Sequence, residues 1–145
     1  ALWCDLRVME ETSYMGVYCR RWGIPLIDGG TVRLPRLVGE GRAMDLILTG
    51  RRVDAAEALQ IGLCEYVVPD GDARTYSEAL AHDISRFPQS CLRADRNSVQ
   101  NQHGLSLNQA LKQEWAGSKN EVSKGIEGAT RFAKGKGRSG DFSDL

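Results

Sequence analysis

Apolar and polar positions in the first half of the chain predict short strands that alternate with helices. Three segments have the composition of strands: residues 2–9 (LWCDLRVM), 13–18 (SYMGVY) and 63–68 (LCEYVV). Three further segments are predicted as helices: a short one entered through Gly29-Gly30, residues 41–49 followed by Gly50, and Ala55–Ile61 behind a capping Asp54. This alternation indicates an α/β fold over residues 1–70.

The second half of the chain changes to a helical pattern. Apolar residues recur at helical spacing in four successive segments: Tyr76/Leu80/Ile84/Phe87, Leu92/Val99, Leu107/Leu111/Trp115 and Val122/Ile126/Phe132. We interpret these stripes as core or subunit interface. The predicted organisation is an α/β core over residues 1–70, a helical oligomerisation region over 71–134, and a flexible Gly- and Ser-rich tail over 135–145.

Charge and cysteine content exclude several classes of protein. Lys+Arg and Asp+Glu both number 19, so the chain lacks the basic excess of a nucleic-acid binder. Its apolar stretches are too short to cross a membrane. The 4 cysteines form no CxxC pair and the chain has only 2 histidines, so we expect no metal site. Reduced thiols are expected instead, which suggests the cytoplasm.

The first residues are unusual for the start of a natural domain. Ala1-Leu2-Trp3-Cys4 begins without Met and runs directly into an apolar segment. We therefore expect either a fragment or a gene that is truncated relative to its relatives.

Five motifs in order resemble one known family. They are a Cys4-Asp5 pair, the glycine-rich segment from Trp22 to Gly39 (WGIPLIDGGTVRLPRLVG), residues 43–50 (AMDLILTG), residues 54–69 with Ile61-Gly62-Leu63 and Val67-Val68-Pro69, and residues 127–132 (EGATRF). In this order and at these spacings they resemble the crotonase superfamily, the enoyl-CoA hydratases and isomerases, in its C-terminal portion. The resemblance covers nearly the whole chain.

The resemblance implies a fold and a chemistry. The implied fold is α/β, here a partial crotonase-like ββα spiral followed by a C-terminal helical lobe. The implied ligand is an acyl-CoA thioester, whose enolate the family stabilises with two backbone N–H groups. Coenzyme A would arrive as part of the substrate, and no separate cofactor is expected. The implied assembly is a homo-oligomer: a dimer, trimer or hexamer.

The sequence departs from the family at the catalytic positions. Both oxyanion donors and the first catalytic glutamate of the family fall before the segment that matches Cys4-Asp5. The second glutamate follows a proline, and Tyr18-Cys19 stands in place of that pair. Since an oxyanion donor is worth about 2.7–4 kcal/mol of barrier, we expect an enoyl-CoA hydratase/isomerase-like protein that is catalytically impaired. The alternative is a non-catalytic oligomerising or acyl-CoA-binding module, so enzyme status stays open.

Cys19 and Asp28 are the candidate catalytic residues. Arg20 and Arg21 follow Cys19 and could lower the pKa of its thiol, although a half-buried structural thiol is the more common situation. Asp28 lies directly before Gly29-Gly30, where the resemblance places residues that line the acyl pocket. A buried carboxylate there could act as a base. The preferred alternative is that Asp28 caps the helix that follows.

The candidate substrate-binding residues lie at two separate places in the sequence. Gly29 and Gly30 permit close backbone approach, either to a ligand or to a neighbouring helix. Phe132, Lys134 and Lys136 fall where the resemblance implies an aromatic and basic contact with the adenine and phosphates of CoA. A solvated basic tail is the alternative for this second group.

Overall fold

The computed structural model describes residues 1–137 and divides the chain into two compact units, Ala1–Leu80 and Ala81–Leu145. Most of the first unit alternates short strands with helices. Its elements are β1 (Val8–Glu10), β2 (Tyr14–Gly16), a 3₁₀ helix (Tyr18–Trp22), α1 (Gly30–Val38), α2 (Glu40–Thr49), β3 (Arg52–Asp54), α3 (Ala55–Gln60), β4 (Tyr66–Val68) and the start of α4 (Ala73–Arg86). The predicted α/β class is confirmed.

The strands form two small sheets of two strands each. β1 lies parallel to β4, with Met9 opposite Val67, and β2 lies antiparallel to β3, with Met15 opposite Val53. The parallel pair brings together segments almost sixty residues apart in the sequence. It therefore closes the first unit on itself.

The strands predicted over residues 2–9 and 63–68 are shorter in the structure. Residues 2–6 form turns and bends, because only Val8–Glu10 has a strand to pair with. Leu63 and Cys64 also stay outside the sheet, since their amides bond to the carbonyl of Ala58 at the end of α3. β3 and the 3₁₀ helix were not predicted; both are short and have no apolar periodicity.

The buried core of the first unit lies where the helices meet the two sheets. α2 contributes Ala43, Leu46 and Ile47, which follow the spacing of one helix face. The other buried apolar residues come from the neighbouring elements: Met9, Leu34, Val38, Val53, Ala55, Ala58, Leu63, Cys64 and Val68. α1 and α2 pack closely against each other, and the segment that resembles the family motif contributes Leu34 and Val38 to this core.

Local capping explains where two of the helices begin and end. The carboxylate of Asp54 accepts a hydrogen bond of 2.8 Å from the amide of Glu57, which confirms the predicted cap of α3. The side chain of Glu57 bonds to Arg51 instead of completing a capping box. α2 ends at Gly50, whose φ of 57° is the left-handed conformation predicted for that position.

The second unit contains helices. They are the end of α4, then α5 (Gln89–Asn101), α6 (Leu107–Ser118) and α7 (Val122–Ala133). α6 begins with a capping box between Ser106 and Gln109. α5, α6 and α7 lie wholly within the described residues, and none of their side chains is buried. Part of the predicted tail, residues 138–145, lies outside the described residues.

Candidate functional site

The turn before α1 places Asp28 outside the helix. Gly29 is the N-cap residue, with a φ of 82°, and its carbonyl accepts the amides of Val32 and Arg33 at 3.2 and 2.9 Å. The helix has no side-chain cap, so the prediction that Asp28 caps it is wrong. A left-handed glycine turns the chain one residue later than that prediction assumed. The backbone carbonyl of Asp28 instead accepts a hydrogen bond of 3.1 Å from the indole of Trp3.

The segment before β1 covers one side of this turn. The guanidinium carbon of Arg33 lies 3.5 Å from the ring centroid of Trp3, and Arg33 Nη1 donates to the carbonyl of Leu2 at 3.3 Å. A Cβ atom added to Gly29 would lie 3.5 Å from Trp3, and one added to Gly30 would lie 3.3 Å from Leu26. The side chains of Trp3 and Leu26 therefore make the close approach that was predicted at these two glycines.

Cys19 lies in the 3₁₀ helix and is partly buried. Its carbonyl accepts the amide of Ile24 at 3.2 Å. The two arginines expected to act on the thiol have other contacts: Arg20 donates to the carbonyl of Ile47 at 3.2 Å, and Arg21 lies over the ring of Tyr18. Both guanidinium groups are therefore engaged by partners other than the Cys19 thiol.

An apolar cavity of about 410 Å³ opens beside the same helix. β2 and the residues after it form one wall, which includes Met15, Gly16 and Tyr18. Leu46, Val53 and Leu63, which belong to the buried core, also line the cavity. A volume in this range is typical of sites for small molecules. The cavity was not predicted, and the only local signal for it in the sequence is Gly16, a glycine within a predicted strand.

Two tyrosines at the cavity carry arginines on their rings. Tyr14 and Tyr18 meet edge to face with ring centroids 6.3 Å apart. Arg52 lies over Tyr14 at 4.2 Å, and Arg21 lies over Tyr18 at 5.1 Å. Each of the two tyrosine rings that line the cavity is thus in contact with a guanidinium group.

The second group of predicted binding residues lies at the end of α7. Phe132 is in the last turn and is exposed, and Lys134 follows the helix as its C-cap residue. The amides of Lys134 and Lys136 both donate to the carbonyl of Arg131, at 3.1 Å in each case. The chain thus keeps the aromatic ring and both lysines within one turn of the helix end. Cations favour that end because backbone carbonyls point out of it.

The described residues contain neither a metal-binding cluster nor a helix that could span a membrane. Across residues 1–137, no group of three or more His, Cys, Asp or Glu side chains is arranged to hold a metal ion. Within the same range, none of the helices combines the length and the apolar character needed to cross a bilayer.

The fold of this chain is already known from solved structures of enoyl-CoA hydratases. An enoyl-CoA hydratase from Bacillus anthracis matches 92% of this chain and 52% of its own, with a TM-score of 0.85 and 32% identity. A Thermobifida fusca protein described as an enoyl-CoA hydratase, solved in complex with CoA, matches 88% of this chain and 49% of its own. Its TM-score is 0.79 and its identity 29%.

The sequence gives the same family. The model of the enoyl-CoA hydratase/isomerase family matches residues 1–138, so the chain belongs to that family. The probable enoyl-CoA hydratase echA8 of Mycobacterium bovis is 39% identical over 111 residues, which are 77% of this chain and 43% of that relative. The chain therefore spans less than half the length of this curated relative. The predicted membership of the crotonase superfamily is confirmed.

Proposed function

We propose that this chain binds acyl-CoA thioesters as part of an enoyl-CoA hydratase/isomerase-like protein, with CoA entering as part of the substrate and with no separate cofactor. The observation that carries the proposal is the CoA complex of the Thermobifida fusca neighbour, whose fold matches 88% of this chain. The apolar cavity supports it further, because an acyl group needs a dry, apolar site of this size.

The cavity and the predicted residues at the end of α7 fit different parts of such a ligand. The cavity beside Tyr18 would hold the acyl group. Phe132, Lys134 and Lys136 would contact the adenine and phosphates of CoA, since exposed ammonium groups bind phosphate by charge-assisted hydrogen bonds. The cavity lies in the first unit and the two lysines lie in the second, and each assignment rests on contacts within that unit alone.

The proposal includes impaired catalysis by the residues present. Where the family resemblance implies the second glutamate, this chain has Cys19, so a thiol replaces the carboxylate that would act as acid or base. General acid–base assistance is worth about 10²–10⁴-fold. Asp28 is the remaining candidate base, on a turn whose backbone the indole of Trp3 holds in place.

Binding and turnover of crotonyl-CoA test the two parts separately. Titration calorimetry with this chain should show binding, while absorbance of the enoyl thioester should show hydration no faster than the uncatalysed reaction. Lys134→Ala with Lys136→Ala should weaken CoA binding, whereas Lys112→Ala with Lys119→Ala removes the same charge elsewhere and should not. Absence of binding would refute the proposed function. Robust hydration would refute only the impairment.

Two substitutions test the candidate catalytic residues. Cys19→Glu restores a carboxylate at the matching position and should raise hydration above background, whereas Cys19→Gln supplies a similar shape without a charge. In the Cys19→Glu background, Asp28→Asn should lower the rate again. An unchanged rate would show that Asp28 has no catalytic role.

A non-catalytic, self-associating module is the alternative function, and one observation favours it. α6 exposes Leu107, Leu111 and Trp115 along one face, and α7 exposes Val122 and Ile126. Exposed apolar faces of this kind are usually covered by a partner, and we propose a second copy of this chain. Light scattering should give a dimer, trimer or hexamer that Leu111→Lys with Trp115→Lys dissociates, whereas a stable monomer would contradict self-association.

The cysteines support a location in the cytoplasm. Cys4, Cys19, Cys64 and Cys91 are all free thiols, of which Cys4 and Cys91 are exposed. Exposed free thiols persist in a reducing compartment, whereas oxidising compartments favour disulfides. Localisation of the tagged protein in its own cells would test this part of the proposal.

A further inference from the structure

The cavity wall contains a close fit between a glycine and an aromatic ring. A Cβ atom added to Gly16 would lie 2.5 Å from Cζ, 2.7 Å from Cε1 and 2.9 Å from Oη of Tyr18. These separations are far below van der Waals contact, so any larger residue at this position requires the ring to move. Tyr18 can therefore occupy its place over the strand only because residue 16 is glycine.

Neighbouring side chains hold the ring of Tyr18 where it is. Tyr14 meets it edge to face, and the guanidinium of Arg21 lies 5.1 Å from its centroid. The ring is therefore part of the cavity wall. A tyrosine also takes up more room than the proline that the family resemblance implies at this position.

We infer that Tyr18 is a specificity-determining residue that limits the length of the acyl chain in the cavity, and that Gly16 is the positioning residue that lets the ring lie there. The inference rests on the proposed function, because it assumes an acyl ligand. The rest of the cavity is lined largely by aliphatic side chains, among them Leu2, Leu46 and Leu63, which accept an alkyl chain. The tyrosine ring fills room that a longer chain would need, so the favoured ligands are short-chain acyl thioesters.

Titration calorimetry measures the binding of two ligands, crotonyl-CoA with four acyl carbons and trans-2-decenoyl-CoA with ten. CoA alone is the reference. The quantity of interest is the ratio of the two dissociation constants. Tyr18→Ala should shift this ratio towards the longer chain by about tenfold or more, because a single methylene in an apolar pocket already changes discrimination by about tenfold or more. Tyr18→Phe retains the ring and should leave the ratio unchanged.

Gly16→Ala tests the positioning role through its coupling to Tyr18. In the native background it should displace the ring and change the ratio, whereas in the Tyr18→Ala background it should have no further effect. Gly41→Ala is the matched control, because a Cβ atom there has nothing within 4 Å, and it should not alter the ratio. Circular dichroism and thermal unfolding of every variant establish that it is folded.

The outcomes separate the inference from the function on which it rests. If both ligands bind and Tyr18→Ala leaves their ratio as it was, the inference is overturned while the proposed function stands. If Gly16→Ala changes the ratio equally with and without the tyrosine, the positioning role is overturned. If neither ligand binds more tightly than CoA alone, both the inference and the acyl-binding part of the proposed function fail.

Discussion

Removing the side chain of Arg7 should destabilise the first unit strongly. Arg7 is only 5% exposed, although its sequence neighbours Leu6 and Val8 are exposed and half-buried. Its Nε donates to the carbonyl of Leu63 at 2.8 Å, its Nη1 to the carbonyl of Cys4 at 2.7 Å, and its Nη2 to the carboxylate of Glu65. The guanidinium thus ties the segment before β1 to the segment before β4.

The magnitude follows from what Arg7→Met would leave behind. Two carbonyl oxygens would lose their donor, at about 1–3 kcal/mol for each one that stays buried. Breaking a buried ion pair costs about 3–5 kcal/mol. Glu65 is 29% exposed and keeps the bond from the amide of Arg7, at 2.6 Å, so water can replace part of what it loses. We therefore expect a loss of about 3 kcal/mol, a large share of the usual stability of a domain.

Urea unfolding followed by circular dichroism measures this loss. Arg74→Met is the matched control, because Arg74 forms an ion pair of 2.7 Å with Glu78 but its side chain is 88% exposed. Such exposed pairs contribute little, about 0–1 kcal/mol. If Arg7→Met cost less than about 1 kcal/mol, or no more than the control, the buried guanidinium would not be what joins the two segments.

Three further outcomes follow from the structure. The guanidinium of Arg51 lowers the pKa of Glu57 through a side-chain hydrogen bond. The pair therefore stabilises the fold at a pH above the ordinary carboxyl pKa, and this stabilisation is lost as the pH falls through the lowered pKa. In urea unfolding, Arg51→Met should thus reduce the free energy of unfolding more at pH 7 than at pH 3. Burial raises the pKa of the Cys64 thiol, so Cys64 should be alkylated far more slowly than the exposed Cys91, as mapped by mass spectrometry. Equal rates would contradict the placement of Cys64 in the core. Gly50→Ala should lower the free energy of unfolding by about 1–2 kcal/mol. The reason is that φ is 57° at this position and that the added methyl group would lie 3.1 Å from a carbonyl oxygen. An unchanged free energy of unfolding would show that this turn is not constrained.

Features that depend on near neighbours in the sequence were predicted well. The helix expected over residues 41–49 runs from Glu40 to Thr49, and Gly50 ends it in the left-handed conformation. Asp54 caps α3 as predicted. In both cases the residues that decide the structure lie within about one helical turn of each other, so the local sequence contains the whole interaction.

Features that depend on distant partners were predicted poorly. Residues 2–9 have the composition of a strand, yet only Val8–Glu10 pairs, because strand formation requires a neighbour and β4 offers three residues. One local prediction also failed: Asp28 has the residue type of a helix cap, but Gly29 takes that position. The cause is the left-handed backbone conformation of Gly29, which residue preferences for helix caps do not predict.

The sequence by itself determined the family, the α/β order of the elements and the helical second half, since motif spacing and apolar periodicity are properties of the chain alone. Tertiary structure decided the candidate site. The cavity joins Leu2, Gly16, Leu46 and Leu63, which are far apart in the sequence and meet only after the core has packed. Similarly, the partners of Arg7 become its partners only when β1 and β4 lie side by side. Burial and contact arise from the packed arrangement of the whole unit, so no stretch of the sequence contains them.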